Sequence, residues 1–445
     1  PHFSTDLNYN QIARSLQLGW CTFHDETYYK NVSQLEAGCN LVYRGGDVQI
    51  EKYWEIKPNR YKYTDHESAK SDFRNLLEDA VIKHMRSDVE IAVCLSGGID
   101  SSSLTGLILH LFPDLKFQTY SIYYDGKGEV DERPFINEVI GKSKNITPYF
   151  YKPDKNIIPD FFNDVVDKSD VPITGSSPIS HYYLVKKIRE NGIKVVLDGQ
   201  GADEYLAGYI PAYYRWIGSD LQKLKLGKAL RKLSQVKNEK ELNFGGMASY
   251  FGKSLLSALN SETSLLNVEF KKYYPFLLEP DVLHGSGLKI QGYKENRLDD
   301  YLFHAIYDSS LPTILHYVDR MTMSFSVESR VPLLDHRLID FAFSLPTTEK
   351  IRNGVSKAIL RESVKDLLPE KIYKRKDKKG FVTPGEDIWL RGQLKWLLDI
   401  DFNKLDFINK SKAKEVVSSY LKGDNRNARL VWRLGLLNYW IKKNG

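Results

Sequence analysis

The chain has 445 residues with a net charge of +6, 42% hydrophobic and 27% charged, the balance of a soluble globular protein long enough for two or three domains. Its basic runs, such as Lys223-Leu-Lys-Leu-Gly-Lys228, sit among acidic residues elsewhere, so no nucleic-acid partner is inferred. Cys21, Cys39 and Cys94 form no CxxC pair, no apolar run approaches the roughly 20 residues that span a bilayer, and no secretory signal is visible, which predicts a cytoplasmic location without a structural zinc site or membrane partner.

Up to about residue 57 short β-like runs alternate with turns. Cys39–Tyr43 and Val48–Ile56, joined by Arg44-Gly-Gly-Asp47, read as a hairpin in a segment too small to bury a core alone. Phe73, Leu76, Leu77, Ala80 and Val81 fall on one face of a helix over 66–85. Glu90–Leu95 is a short apolar run that ends in Ser96-Gly97-Gly98, and helical spacing resumes over Ser102–Leu111. Phe117–Tyr124, Pro148–Lys152 and Lys194–Asp198 are further buried-strand candidates, with helical stretches such as His181–Asn191 between them. That alternation predicts a parallel sheet covered on both faces. Ligands of such sheets bind beyond the strands' carboxyl ends, where the glycine-rich loops 96–101 and 199–208 fall. Residues 210–300 read as a mostly helical insertion, followed by helices near 311–326, 355–368 (closed by Pro369) and 427–442.

A strand, then Ser96-Gly97-Gly98-Ile99-Asp100-Ser101, then a helix makes a compact anion site. Glycines let backbone N–H groups approach phosphate oxygens, and the helix N-terminus adds open donors and partial positive charge. The spacing is not that of a Walker A loop. Asp100 beside phosphates is unfavourable without a cation, which predicts Mg²⁺.

The string Cys94-Leu-Ser-Gly-Gly-Ile-Asp-Ser-Ser102 resembles the pyrophosphate loop of the ATP pyrophosphatases, which cleave ATP between its α- and β-phosphates. Within that group it is most similar to the asparagine synthetases. Val196-Leu-Asp-Gly-Gln-Gly-Ala-Asp-Glu-Tyr205 resembles their second loop, Ser-Gly-Glu-Gly-Ala-Asp-Glu-Leu, which places Asp203 on a Mg²⁺-pyrophosphate carboxylate that shares the metal with Asp100. On local grounds alone Asp203-Glu204 is also compatible with an acidic helix cap. Val130-Asp-Glu-Arg133, Asp319-Arg-Met-Thr-Met323 and Glu328-Ser-Arg-Val-Pro-Leu-Leu-Asp335 match other family strings, the last read as structural, with Arg330 in a buried pair with Asp335 or Glu328. Lys376-Asp-Lys-Lys-Gly-Phe381 resembles the family's Arg-x-Lys-x-Gly-Phe, so the resemblance alone makes Lys378 the catalytic lysine.

The implied fold is an α/β, parallel-sheet ATP-pyrophosphatase (adenine nucleotide α-hydrolase-like) domain over 58–445 with large helical additions. A short β-rich remnant of a glutaminase-type domain precedes it over 1–57, where Thr27-Tyr-Tyr-Lys-Asn-Val-Ser-Gln-Leu-Glu-Ala-Gly38 carries the likeness. The implied ATP contacts are Cys94, Leu95, Ser96, Gly97, Gly98, Asp100, Ser101, Ile122, Asp198 and Gly199, with Cys94 and Ile122 beside the adenosine. The implied cofactors are ATP and Mg²⁺, the implied reaction is amidation of a carboxylate, with aspartate foremost, through an acyl-adenylate, and a homodimer is compatible.

Two positions depart from the family pattern. Gln200 replaces the glutamate of the second loop, and Asp198 replaces the serine two residues before it. Glutamine orients a substrate but cannot accept a proton at neutral pH. Residues two apart in an extended segment face one side, so Asp198 is expected to stand in for the missing carboxylate, a ribose contact or turn cap being the equal alternative. The family's N-terminal cysteine nucleophile has no counterpart beside Pro1. The expectation is therefore a fragment or processed chain that uses ammonia from a glutaminase domain it does not itself show. The rival readings are an amidotransferase for another carboxylate, such as a sugar acid in surface-polysaccharide assembly, a lactam-forming relative, and a weakly active nucleotide-binding scaffold.

Overall fold

The computed structural model describes residues 6–57, 60–124, 131–154, 158–262, 264–265, 293, 295–376 and 383–444. Among the described residues before 350 the strands are β1 (Cys39–Arg44), β2 (Asp47–Lys52), β3 (Ile91–Cys94), β4 (Phe117–Ile122), β5 (Ile146–Tyr151), β6 (Val195–Leu197) and β7 (Glu328–Arg330). The first two form the expected antiparallel hairpin, with Leu41 opposite Ile50 and Tyr43 opposite Val48. The other five form one sheet in the order β5-β4-β3-β6-β7, every neighbouring pair parallel. This is the α/β architecture that the alternating pattern predicts.

The near-continuous apolar character of β3 follows from its central place, because side chains alternate between two covered faces. Ala92 and Cys94 enter one core with Tyr120 and Val196, under helices Ile158–Lys168, Ser177–Glu190 and Ala428–Asn444. Val93 and Leu95 enter the opposite core with Leu197, under helices His66–His84, Ile99–Leu111 and Arg297–Tyr307. Both glycine-rich loops leave the carboxyl ends of adjacent strands, β3 and β6, so they meet on the same rim of the sheet.

The structure corrects three expectations. Tyr9–Leu18 is a helix, capped by Asn8, whose side chain accepts from the Gln11 N–H, and closed by Gly19 in the left-handed region. Residues 355–368 are not one helix: Val355–Ser356 pairs with Ile351–Arg352, and the helix is confined to Ala358–Ser363 before a 3-10 turn. Arg330 makes no buried pair with Asp335. It pairs with exposed Glu328 (2.7 Å), its neighbour two along the strand, and donates to the His84 and Arg86 carbonyls at the end of helix His66–His84. Asp335 instead caps helix His336–Ser344 and binds Arg337.

Residues 210–259 supply the helices Ile210–Gln222, Leu226–Lys240 and Phe244–Leu259. Among the described residues no helix is long and apolar enough to cross a membrane.

Arg433 locks the N-terminal segment to this frame. Buried on helix Ala428–Asn444, it donates to the Leu16 and Gln17 carbonyls at 3.0 and 3.1 Å and to Thr174 O at 3.2 Å. Arg433→Ala is expected to destabilise the protein by about 2–4 kcal/mol, because buried acceptors lose a charged donor. A denaturant titration checks this, and an unchanged midpoint contradicts it.

Candidate active site

The first loop is held open by its own hydroxyls. Ser101 Oγ accepts from the Ser96 N–H (3.2 Å) and lies 3.1 Å from Ser96 Oγ, which closes the turn without occupying its mouth. Gly97 has φ +71°, and a Cβ there would lie 2.9 Å from Phe135 Cβ. No side chain caps the helix that begins at Ile99, so its first N–H groups remain available for phosphate oxygens. The second loop lies directly against the first: a Cβ on Gly199 would fall 2.7 Å from the Ser101 nitrogen. Glycine at 199 therefore sets how closely the two loops approach.

Between the loops lies a residue that sequence reasoning did not single out. Lys357 Nζ is 2.5 Å from Asp100 Oδ2 and 2.6 Å from Asp203 Oδ1, and the lysine is almost wholly buried. Burial opposes its charge, yet Asp100 and Asp203 together outweigh that and hold the ammonium above its usual range. Its backbone is left-handed (φ 56°), and its N–H donates to Leu206 O at 3.0 Å, fixing it under the second loop. Asp100 and Asp203 thus converge on one cation, the Lys357 ammonium. Among the described residues no three His, Cys, Asp or Glu side chains form a metal cluster. Asp100 and Asp203 alone would supply protein oxygens to a Mg²⁺ brought with phosphates, an ion usually held by one or two carboxylates.

A second buried pair closes the mouth. Arg375 Nη2 donates to Glu132 at 2.7 Å, its Nη1 donates to Gly97 O at 3.0 Å, and its guanidinium lies 4.0 Å from the Phe135 ring centre. Arg361 in turn holds the backbone carbonyls of Tyr373 and Arg375, at 2.7 and 3.0 Å. Glu132 is the member of the Asp131-Glu132 pair that lines the cleft, whereas Asp131 turns outward to Arg133. One sequence signal for the lysine existed: Lys357 and Arg361 are cations four apart at the edge of an apolar run, where charged side chains are buried only if paired.

One cleft is lined by Cys94, Leu95, Ser96, Gly98, Asp100, Ser101, Ile122, Asp198, Gly199, Gln200 and Asp203, so these residues come together, with Gly97 at the loop's back. Burial, reinforced by Asp198, drives the Cys94 thiol far above its ordinary range, which suits an apolar wall and not a nucleophile. Asp198 is buried, and burial lifts its carboxyl to about 6 despite a hydrogen bond from the Gly199 N–H. Gln200 stands where this cleft opens into a second chamber of about 1100 Å³. Lys378 lies outside the described residues.

The asparagine synthase family profile matches residues 72–442. The chain belongs to the asparagine synthase family. It is 28% identical to asparagine synthetase [glutamine-hydrolyzing] 1 of Bacillus subtilis, over 93% of this chain and 66% of that protein. It is 25% identical to amidase chyE of Penicillium rubens, over 86% and 64%. It is 31% identical to a putative asparagine synthetase of Methanocaldococcus jannaschii, over 51% and 46%. The chain therefore spans about two thirds of the length of the first curated relatives it matches.

Replacing Lys357 by methionine leaves two buried carboxylates facing each other, and breaking such a pair costs roughly 3–5 kcal/mol. Lys357→Met is expected to unfold at lower denaturant at pH 7, to lose less at pH 5, and to be stabilised by millimolar Mg²⁺ more than the parent is. Denaturant titrations at both pH values, with and without Mg²⁺, read all three, and the absence of any Mg²⁺ effect would sink the shared-metal assignment.

The Asp198 carboxyl, raised from 3.8 to about 6, gives a separate pH signature. Between these values the folded protein holds a proton that the unfolded chain has lost, so this group's contribution to stability falls as pH rises through that window. Asp198→Asn should remove that slope in urea titrations across the window. A parent and variant with parallel pH profiles would contradict the assignment.

Proposed function

We propose that this chain is an ATP-dependent carbon–nitrogen ligase. A carboxylate oxygen of the acceptor attacks the α-phosphate of ATP, the α–β bond breaks, and an acyl-adenylate and pyrophosphate form. Ammonia then attacks the acyl carbon, a proton leaves the nitrogen, and AMP departs with the former carboxylate oxygen. The observation that carries this reading is the pair of strand-end loops packed back to back with one buried cation between Asp100 and Asp203.

Each part of the cleft has a task in that scheme. The wall formed by Cys94 and Ile122 receives the adenine. The uncapped N-terminus of the helix from Ile99 takes phosphate oxygens, and Lys357 and Arg375 add positive charge where pyrophosphate leaves. Asp100 and Asp203 would hold a Mg²⁺ brought with ATP, which would supply further charge neutralisation there. The family resemblance adds Lys378 to the same end. Gln200 orients the acyl group, and Asp198, two residues before it, accepts the proton released by the incoming amine; a carboxyl near 6 is well placed for that near neutrality. Aspartate is the acceptor to which the names of several relatives point. The chamber beyond Gln200 favours a second reading, amidation of a carboxylate bulkier than aspartate.

The decisive measurement follows products from ATP with ammonium and a carboxylate panel. AMP and pyrophosphate should appear one for one with amide; ADP and phosphate would refute the scheme. Asp198→Asn should lower ammonium-dependent turnover by roughly a hundredfold while ATP–pyrophosphate exchange persists. Undiminished turnover would remove Asp198 from the mechanism.

A further inference from the structure

The chamber beyond Gln200 shares Gln200, Gly208, Lys240 and Lys376 with the nucleotide cleft, so whatever fills it meets the α-phosphate at that throat. Its volume of about 1100 Å³ is at or above the range of pockets that enclose whole drug-sized ligands. A four-carbon amino acid would leave most of it filled with water.

The wall chemistry narrows the occupant. Tyr209, Tyr213, Tyr250 and Tyr317 line it, with Ile314 and Val318 one turn apart on helix Ser310–Met323. Two of the phenols are engaged away from any ligand: Tyr209 Oη donates to Glu204 at 2.6 Å, and Tyr317 Oη donates to Pro172 O and accepts from the Thr174 N–H. What these residues offer the chamber is ring surface. His181 also lines it, and burial lowers the imidazole to about 4, so the ring is uncharged at neutral pH.

An amino-acid acceptor also needs an acid for its α-ammonium group. Glu239 is paired with Lys376 at 3.4 Å, and Glu241 is exposed in the turn after helix Leu226–Lys240. The cations are better placed for the acceptor. Lys240 lies at the throat itself, with its Nζ donating to Lys376 O at 3.1 Å and sitting 5.1 Å from the centre of the Tyr213 ring.

Resting on the amide-synthesis reading above, we infer that the acceptor is a carboxylate carried on a bulky, largely apolar, ring-bearing body and not aspartate. The carboxylate sits at the throat near Lys240 and Gln200, while the body packs against the tyrosines and the Ile314–Val318 face.

ATP–pyrophosphate exchange tests this with aspartate, glucuronate, 3-phenylpropanoate and indole-3-propanoate as probes. The aryl acids should support exchange with kcat/KM at least about tenfold above aspartate, since each buried apolar group favours them. Val318→Trp, which narrows the chamber, should raise KM for the aryl acids about tenfold with little change in kcat or in KM for ATP. Ile314→Trp gives the same reading if Val318→Trp does not fold. Exchange best supported by aspartate or glucuronate overturns the inference and leaves the adenylation reading intact. Aryl-acid KM values unmoved by both tryptophan variants overturn it as well. Exchange with no carboxylate at all, aspartate included, overturns it together with the reading on which it rests.

Discussion

Two carboxylates from loops far apart in sequence cannot be buried side by side unless a cation stands between them, and Lys357 is that cation. The parallel sheet dictates the problem: β3 and β6 are neighbours, so the loops that follow them must meet, each with an acid. Burying an ammonium with two carboxylates is costly against water and is not the cheapest way to stabilise a fold. Its value lies in preorganisation. The first loop keeps its mouth open, the second is held against it through Gly199, and one ammonium ties the acids of both loops together.

The remaining cations extend this into a gradient. Arg361 binds the backbone carbonyls of Tyr373 and Arg375, and Arg375 binds Gly97 O and Glu132, so charge is supported from behind in successive contacts. Arg361 acts through Arg375 and is a positioning residue. At the other end of the cleft Asp198 lies in an apolar setting beside Cys94, where burial holds its proton to about 6. On the proposed reading the polyphosphate lies at the cation-lined end and the acyl carbonyl beside Asp198 at the other. That division suits a reaction in which negative charge departs in one step and a proton in the next.

What could be read from the residues beforehand was what is local. β3 announces itself as an apolar run because both of its faces are covered, and the Ser96–Ser101 loop because its glycines and hydroxyls are contiguous. β7 did not, since three residues at the sheet edge with Glu328 exposed show no such run. Helix Tyr9–Leu18 did not either, because Gln11, Arg14, Ser15 and Gln17 are among its buried residues and interrupt any apolar face. The ion pairs Lys357–Asp100 and Arg375–Glu132 join positions 257 and 243 apart, a distance over which side-chain chemistry leaves no pattern in one sequence. Charge sign alone misled in one case: Arg330 and Asp335 are close in sequence, but the strand turns Arg330 toward helix His66–His84 while Asp335 caps a different helix.

The two departures from the family pattern become one question at the throat. Gln200 lines both the first cleft and the larger chamber, and on the proposed reading a carboxylate there would sit where the acceptor's own carboxylate approaches the α-phosphate. A neutral amide removes that repulsion and still orients the acyl oxygen by hydrogen bonding. The proton acceptor is then needed elsewhere, and Asp198 lies two residues back on the adenosine side, where burial has already made it a weaker acid and so a better base. In the arrangement we propose, glutamine at 200 and aspartate at 198 separate two tasks that a single glutamate would combine. The separation frees the throat for an acceptor that fills the chamber behind it.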